Sequence, residues 1–334
     1  MPCPVRQPAH PLSSAALGLL AFLAAAEPTP GKEWPAAAAA LVSPVPDFPR
    51  PAATWLEAQV ELSRRGFSGG PIDGLPGPQS TAALRAFQRR EGLTETGLLD
   101  AATQAVLQLD APALTWASLA AEDLDGLRPV PEGWTAKAEA AALPHASALE
   151  LAAERFRAGE RFLRRINPGL DWERLTADTL FVATAAEFVP RPGVAARLVI
   201  RLAARELQAV DVQERVIAHF PVSIARRVDK RPVGDLAVRV VVSNPDYTFD
   251  PVLFPDTPEA RETPTRRLIL PPGPNNPVGV AWIGLDRPGY GIHGAPEPAN
   301  VGRTESLGCF RLANWDARTL LGLAWVGLPV RVEP

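Results

Sequence analysis

Two residues in the stretch GIHGAPEPANVGRTESLGCFRLANWDA, Gly291 to Ala317, carry groups suited to covalent chemistry. Cys309 is one of two cysteines in 334 residues, the other being Cys3 at the extreme N-terminus. A thiol so placed is a packed core residue, half of an intermolecular disulfide, or a nucleophile. Only the thiolate attacks, so a nucleophilic Cys309 needs a base or a cation beside it. His293, sixteen residues upstream, is the natural base, whereas His145 and His219 are scattered. Taken alone, His293 reads more readily as a satisfied loop histidine than as a base. Gly308 permits a tight turn in which backbone N–H groups converge on a developing oxyanion. Arg311 falls on the same side of an extended segment as Cys309, where its guanidinium suits a substrate carboxylate. Asn314 is placed to cap a following helix. Trp282, Tyr290 and Trp315 are aromatic candidates for a cleft lining, and Trp315, at a helix start, reads also as simply packed.

Other chemistries fit less well. No Cys/His pair has zinc spacing, and GPNNPVG lacks the Gly-Lys-Ser/Thr ending of a phosphate-binding loop, so neither a metal nor another cofactor is called for. In papain-like hydrolases the cysteine precedes the histidine, and here it follows. A net charge of −3 with dispersed arginine pairs gives no footprint for nucleic acid.

Several elements must position these residues. Residues 1–26 carry Arg6 and an apolar run from Leu12 to Ala26 that ends in small residues, the pattern of a secretory signal. At about 15 residues the run is short of the ~20 a spanning helix needs, so export with cleavage is expected, with an uncleaved anchor as the alternative. Residues 27–50 are a Pro/Ala-rich spacer. Across 51–109 three short helices are predicted: one opened by the capping pair Thr54 and Glu57, one starting at Ser80, and one capped by Asp100. Residues 110–143 read as an irregular connector. Two more helices follow from Ser147, broken at Gly159 and ended by Asn167-Pro168-Gly169, and then a short strand at DTLFVAT. From residue 195 to 334 the Val- and Ile-rich segments ARLVIRL, RVIAHFPVSI and LAVRVVVS predict strands, with a helix at Asn314–Leu323 and a last strand at LPVRVE.

Residues 51–109, through Gly66-Phe67, Ile72-Asp73-Gly74, Gly77-Pro78, Leu84-x-x-Phe87-Gln88 and Thr96-Gly97, resemble the three-helix peptidoglycan-binding domain. Residues 144–185 resemble a degenerate LysM module, although no first strand is recognisable before Ser147. This segment is either a glycan binder or a structural bridge.

The C-terminal part is similar to the YkuD-type L,D-transpeptidases. His293-Gly294, then Ser306, Gly308, Cys309, Phe310 and Arg311, follow that family's catalytic pattern, and NPDYTFDP and LPPGPNNPVGVAWIGL add to the likeness. Leu307 departs from it, standing where the pattern has a second histidine. The resemblance implies an α+β multidomain chain ending in a β-rich catalytic domain. Cys309 is implied as nucleophile, His293 as general base and Gly308 as an oxyanion donor through its backbone. Arg311, Ser306, Gly294, Tyr290 and Trp282 are implied on the substrate side. The implied reaction acylates Cys309 with a peptidoglycan tetrapeptide stem, releases D-alanine, and passes the acyl group to an amine, giving a 3→3 cross-link. Water as acceptor gives an L,D-carboxypeptidase, and Leu307 leaves open a silent peptidoglycan-binding scaffold. The expected partners are stem peptides and glycan strands, with a wall-anchored lipoprotein as a possible acceptor. The expected location is the periplasm or cell wall.

Overall fold

The structure is a computed structural model that describes residues 47–188, 195–304 and 306–334. The signal segment, Cys3 and most of the Pro/Ala-rich spacer therefore lie outside the described residues. No helix among the described residues is long and apolar enough to cross a membrane.

The N-terminal unit has three helices: α1 (Trp55–Arg64), α2 (Pro78–Arg90) and α3 (Ala101–Val106). Strands β1 (Arg50–Pro51) and β2 (Gln108–Leu109) pair antiparallel and tie its two ends together. The Thr54–Glu57 capping box and the Asp100 cap form as expected. The second helix begins earlier than expected, with Gly77 as its cap and Pro78 in its first turn. Pro at that position gives up an N–H with no helical partner anyway. Ser80 is instead buried, and its hydroxyl accepts from Gln59 Nε2 at 3.0 Å.

A small bridging unit follows. Strand β3 (Leu114–Ala117) pairs antiparallel with β4 (Phe181–Thr184) around helices α6 (Ala148–Arg155) and α7 (Glu160–Ile166). The first strand that the sequence did not reveal before Ser147 thus lies thirty residues upstream, inside the stretch read as an irregular connector. That stretch also holds α4 (Ala121–Asp125) and α5 (Trp134–Glu139). Four residues with one β-branched member are too short a signal to register as a strand without their partner.

The C-terminal domain is built on one eight-stranded sheet. Its strands are β5 (Arg197–Arg201), β6 (Glu206–Val210), β7 (Val216–Pro221), β8 (Gly234–Ser243), β11 (Ala281–Leu285), β12 (Gly291–His293), β13 (Phe310–Arg311) and β14 (Pro329–Glu333). Their order is β13-β12-β11-β8-β14-β5-β6-β7. The ten-residue β8 pairs with β14 through its first half and with β11 through its second. The sheet curls until its edges meet: just past β7, Ser223 exchanges both backbone hydrogen bonds with Arg311 of β13. Closure leaves little free edge.

Side chains alternate across this sheet; the inner face is buried, and the outer face is covered except along β8 and β14, where alternate residues face solvent. Inward residues such as Leu198, Ile200, Ile283, Ile292, Phe310 and Val330 form the main core with Leu320 and Leu323 of α9 (Asn314–Leu323). Outward residues Val199, Val210 and Val216 join the core of the helical N-terminal unit. On the outer face around β11, a hairpin of β9 (Tyr247–Phe249) and β10 (Leu268–Leu270) covers a second cluster, with α8 (Pro258–Glu262) in its loop. Helix α5 lies on that hairpin: Trp134 stacks on Phe249, centroids 4.5 Å apart, and its backbone N–H donates to Glu259 Oε1 at 2.6 Å.

Candidate active site

The register of two short strands brings the predicted chemistry together. β12 and β13 run parallel, with Ile292 beside Phe310 and His293 beside Arg311. Ile292 and Phe310 point into the main core. By the period-two alternation, His293, Cys309 and Arg311 then share the opposite face, with the thiol diagonal to the imidazole on the neighbouring strand. Trp282 is paired with His293 across the antiparallel β11–β12 ladder and lies on the same face. Cys309 is 6% exposed and belongs to the outer cluster with Trp282, Val278 and Phe249.

His293 is 5% exposed, and its Nδ1 lies 2.6 Å from the carbonyl oxygen of Gly294. A carbonyl only accepts, so Nδ1 carries the proton and Nε2 holds the free lone pair. Burial pushes the His293 pKa down to about 4, the Gly294 carbonyl resisting and the Arg311 charge assisting. The imidazole is therefore neutral near pH 7 and able to take a proton. The Cys309 thiol donates to the Gly289 carbonyl at 3.6 Å. Burial also holds the Arg311 pKa below its ordinary value, opposed by the charges of Glu297 and Cys309. An arginine remains charged regardless, so a cation stands two residues from the thiol.

Several residues placed on the substrate side by the sequence have other partners here. The Ser306 hydroxyl donates to the Cys309 carbonyl and accepts from the Gly308 N–H at 3.3 Å. It shapes the turn, and it occupies the amide expected to serve the oxyanion. Trp282 is 4% exposed, and its ring stacks on His293 with centroids 5.8 Å apart. It backs the imidazole from within the packed cluster. Gly294 has no room for a side chain: a Cβ there would lie 2.4 Å from Asn314 Oδ1 and 3.2 Å from the Val280 nitrogen. Its carbonyl fixes the imidazole instead. Tyr290 remains half-buried, with Arg287 4.8 Å from its ring centroid and its edge nearest to Gly308. Leu307 is 67% exposed, so the position that departs from the motif faces outward from the thiol's cluster.

Asn314 is not the helix cap. Ala313 takes that position, and Asn314 is 1% exposed with its Oδ1 accepting from the Val280 N–H at 3.3 Å. Sequence reasoning also missed Gly284 and Gly291. A Cβ on Gly291 would meet the Trp282 ring at 2.6 Å, and one on Gly284 would meet the indole nitrogen at 2.9 Å. The glycines let the indole lie flat over the sheet. Two glycines facing a tryptophan on adjacent strands are visible in the sequence once the strands are aligned.

A neutral imidazole, a thiol and a guanidinium on one face of a curled sheet are the groups that cysteine-centred acyl transfer employs. Residues 195–332 match the family model described as "L,D-transpeptidase catalytic domain", and residues 52–107 match "Putative peptidoglycan binding domain". The chain thus carries a YkuD-type L,D-transpeptidase catalytic domain over residues 195–332, with a peptidoglycan-binding domain ahead of it. It is 24% identical over 187 residues to "Putative L,D-transpeptidase YkuD" of Bacillus licheniformis, covering 56% of this chain and 93% of that one. It is 30% identical over 129 residues to "Putative L,D-transpeptidase YqjB" of Bacillus subtilis, covering 37% of this chain and 64% of that one. Among solved structures, the L,D-transpeptidase (residues 123–326) of Xylanimonas cellulosilytica is 18% identical, with a TM-score of 0.35 over 86% of this chain and 98% of that chain.

Proposed function

We propose that this protein is an active L,D-transpeptidase that works outside the cytoplasm on peptidoglycan. The observation that carries the reading is the shared face of His293 and Cys309, with the Nδ1–H of His293 committed to Gly294 and Nε2 left as the acceptor. Nε2 takes the thiol proton as the sulfur attacks the carbonyl of the third stem residue. The tetrahedral intermediate collapses, the C–N bond to the terminal D-alanine breaks, and the imidazolium returns its proton to the departing amine. A thioester on Cys309 remains. The side-chain amine of a neighbouring stem attacks it, loses a proton to His293, and expels the thiolate, leaving a 3→3 cross-link. Arg311 is the cation that places a stem carboxylate. The same thioester taken by water gives a carboxypeptidase, and an amine on a wall-anchored lipoprotein is a third acceptor.

Leu307 favours one other reading, a scaffold that binds peptidoglycan without turnover. Mass spectrometry of the intact chain after incubation with a disaccharide-tetrapeptide decides between them. Loss of D-alanine with an acyl adduct that disappears in Cys309→Ala supports the enzyme. Binding without adduct or product supports the scaffold.

A further inference from the structure

The bridging unit reaches into the catalytic domain through one buried side chain, Glu154 of α6. It is 8% exposed and its Oε2 accepts from Asn314 Nδ2 at 2.8 Å, across 160 residues of sequence. The other end of the Asn314 amide is wedged between Gly279, just ahead of β11, and Gly294, the residue after His293. A Cβ on Gly279 would lie 2.0 Å from Asn314 Oδ1, and one on Gly294 would lie 2.4 Å from it. Asn314 Nδ2 also donates to the Pro274 carbonyl at 3.0 Å, so all the amide's groups are engaged. Gly294 in turn supplies the carbonyl that holds His293 Nδ1. A continuous run of contacts therefore leads from Glu154 through Asn314 and Gly294 to the imidazole.

We propose that Glu154 is a positioning residue for the catalytic pair, and that the bridging unit completes the active site. The proposal rests on the reading of His293 as the base for Cys309. The carboxylate is held below its ordinary pKa: burial works against its ionised form, but the neighbouring His145 imidazole, the Asn314 bond and the Arg318 charge together outweigh it. His145 Nε2 lies 3.5 Å from Oε2, and Arg318 Nη2 lies 3.5 Å from Oε1. An anchored anion fixes which way the Asn314 amide faces, and that orientation keeps the oxygen against Gly294. Without it the amide keeps only its Val280 and Pro274 bonds and is held less firmly, and a shift of the turn carries the imidazole with it.

The test compares wild type with Glu154→Ala, Glu154→Gln and His293→Ala in the full chain. The first readout is the rate at which iodoacetamide alkylates Cys309 per folded molecule, with the folded fraction taken from the unfolding curve. Glu154→Ala is expected to slow alkylation by about tenfold, towards the His293→Ala rate, because small misplacements of a reacting pair are costly. Glu154→Gln keeps an oxygen acceptor for Asn314 and is expected to recover to within about threefold of wild type. In turnover of the disaccharide-tetrapeptide, the loss falls on kcat with KM unchanged. Alkylation needs no stem substrate, so a failed turnover assay with the expected alkylation pattern would overturn the assigned substrate and leave the proposal standing. Glu154→Ala alkylated at the wild-type rate, or Glu154→Gln as slow as Glu154→Ala, would overturn it.

Discussion

The indole of Trp282 stacks on the imidazole of His293, with 23° between the ring planes. The two residues face each other across β11 and β12, and the contact depends on Gly284 and Gly291 lying under the indole. Trp282→Ala removes a large buried side chain and is expected to cost about 3–5 kcal/mol in denaturant unfolding. Gly291→Ala leaves the ring present but forces it off the strand. Its signature is a loss of Cys309 alkylation out of proportion to any loss of stability. An alkylation rate equal to wild type in folded Gly291→Ala would show that the indole's placement does not matter to the pair.

Burial holds both His293 and His219 at about 4, below the ordinary 6.5, so the unfolded chain binds these two protons first as pH falls. Their contribution to stability is present above 6.5 and is lost as pH drops towards 4. Asp316 works the other way. Burial lifts it from 3.8 to about 7, against the pull of Arg157 and Ser68, so its contribution is present below 3.8 and is lost as pH rises through 7. Two histidines against one carboxyl leave a net one proton, so stability should climb by up to ~1.4 kcal/mol per pH unit from 4 towards 6.5. Asp316→Asn, whose side chain does not ionise, should make that climb steeper. Urea midpoints across this range measure both slopes. The acid limb of Cys309 acylation should likewise fall near pH 4, where His293 charges, and a limb at 6.5 would contradict the buried neutral imidazole.

The departure at Leu307 predicts less than the motif comparison implies. The turn before the thiol is held by the Ser306 hydroxyl, which serves both the Cys309 carbonyl and the Gly308 N–H, while Leu307 faces solvent. Leu307→His should change the acylation rate by no more than about threefold, as befits an exposed position away from such features. Ser306→Ala breaks both bonds and should slow acylation far more. A large gain from Leu307→His in a muropeptide assay would show that the second imidazole acts on substrate from the rim.

What was legible in the sequence follows from where the signals are local. That Cys309, His293 and Arg311 lie on one face could be anticipated from their spacing, because a parallel strand pair carries that spacing into space with side chains on a known face. Helices with caps, such as those opened by Thr54, Asp100 and Ser147, were visible for the same reason. The roles of Trp282, Gly294 and Ser306 were not, since each is set by a partner on another strand or turn. Strand β3 was missed because its partner β4 lies more than sixty residues away. Asn314 looked like a cap from its place before an apolar run, but Val280, its neighbour across the fold, draws its oxygen away from the helix end.

The same non-local packing argues that the domains are not beads on a string. Val199, Val210 and Val216 of the catalytic sheet are buried in the core of the helical unit, and Phe67 bridges to His219 of β7. Ser68 donates to the fully buried Asp316 at 2.9 Å, and Gln79 Nε2 donates to the Val301 carbonyl in the loop between His293 and Cys309 at 2.6 Å. A fragment of residues 195–334 would expose that apolar face and strand Asp316 without its donor. It is expected to unfold at a markedly lower temperature than the full chain and to associate through the uncovered face, as read by calorimetry and sedimentation. Ser68→Ala in the full chain isolates the polar part, at about 1–3 kcal/mol for a buried acceptor left without its donor. A fragment as stable and monomeric as the full chain would mean that the helical unit is a tethered anchor, with its contacts to the catalytic sheet energetically idle.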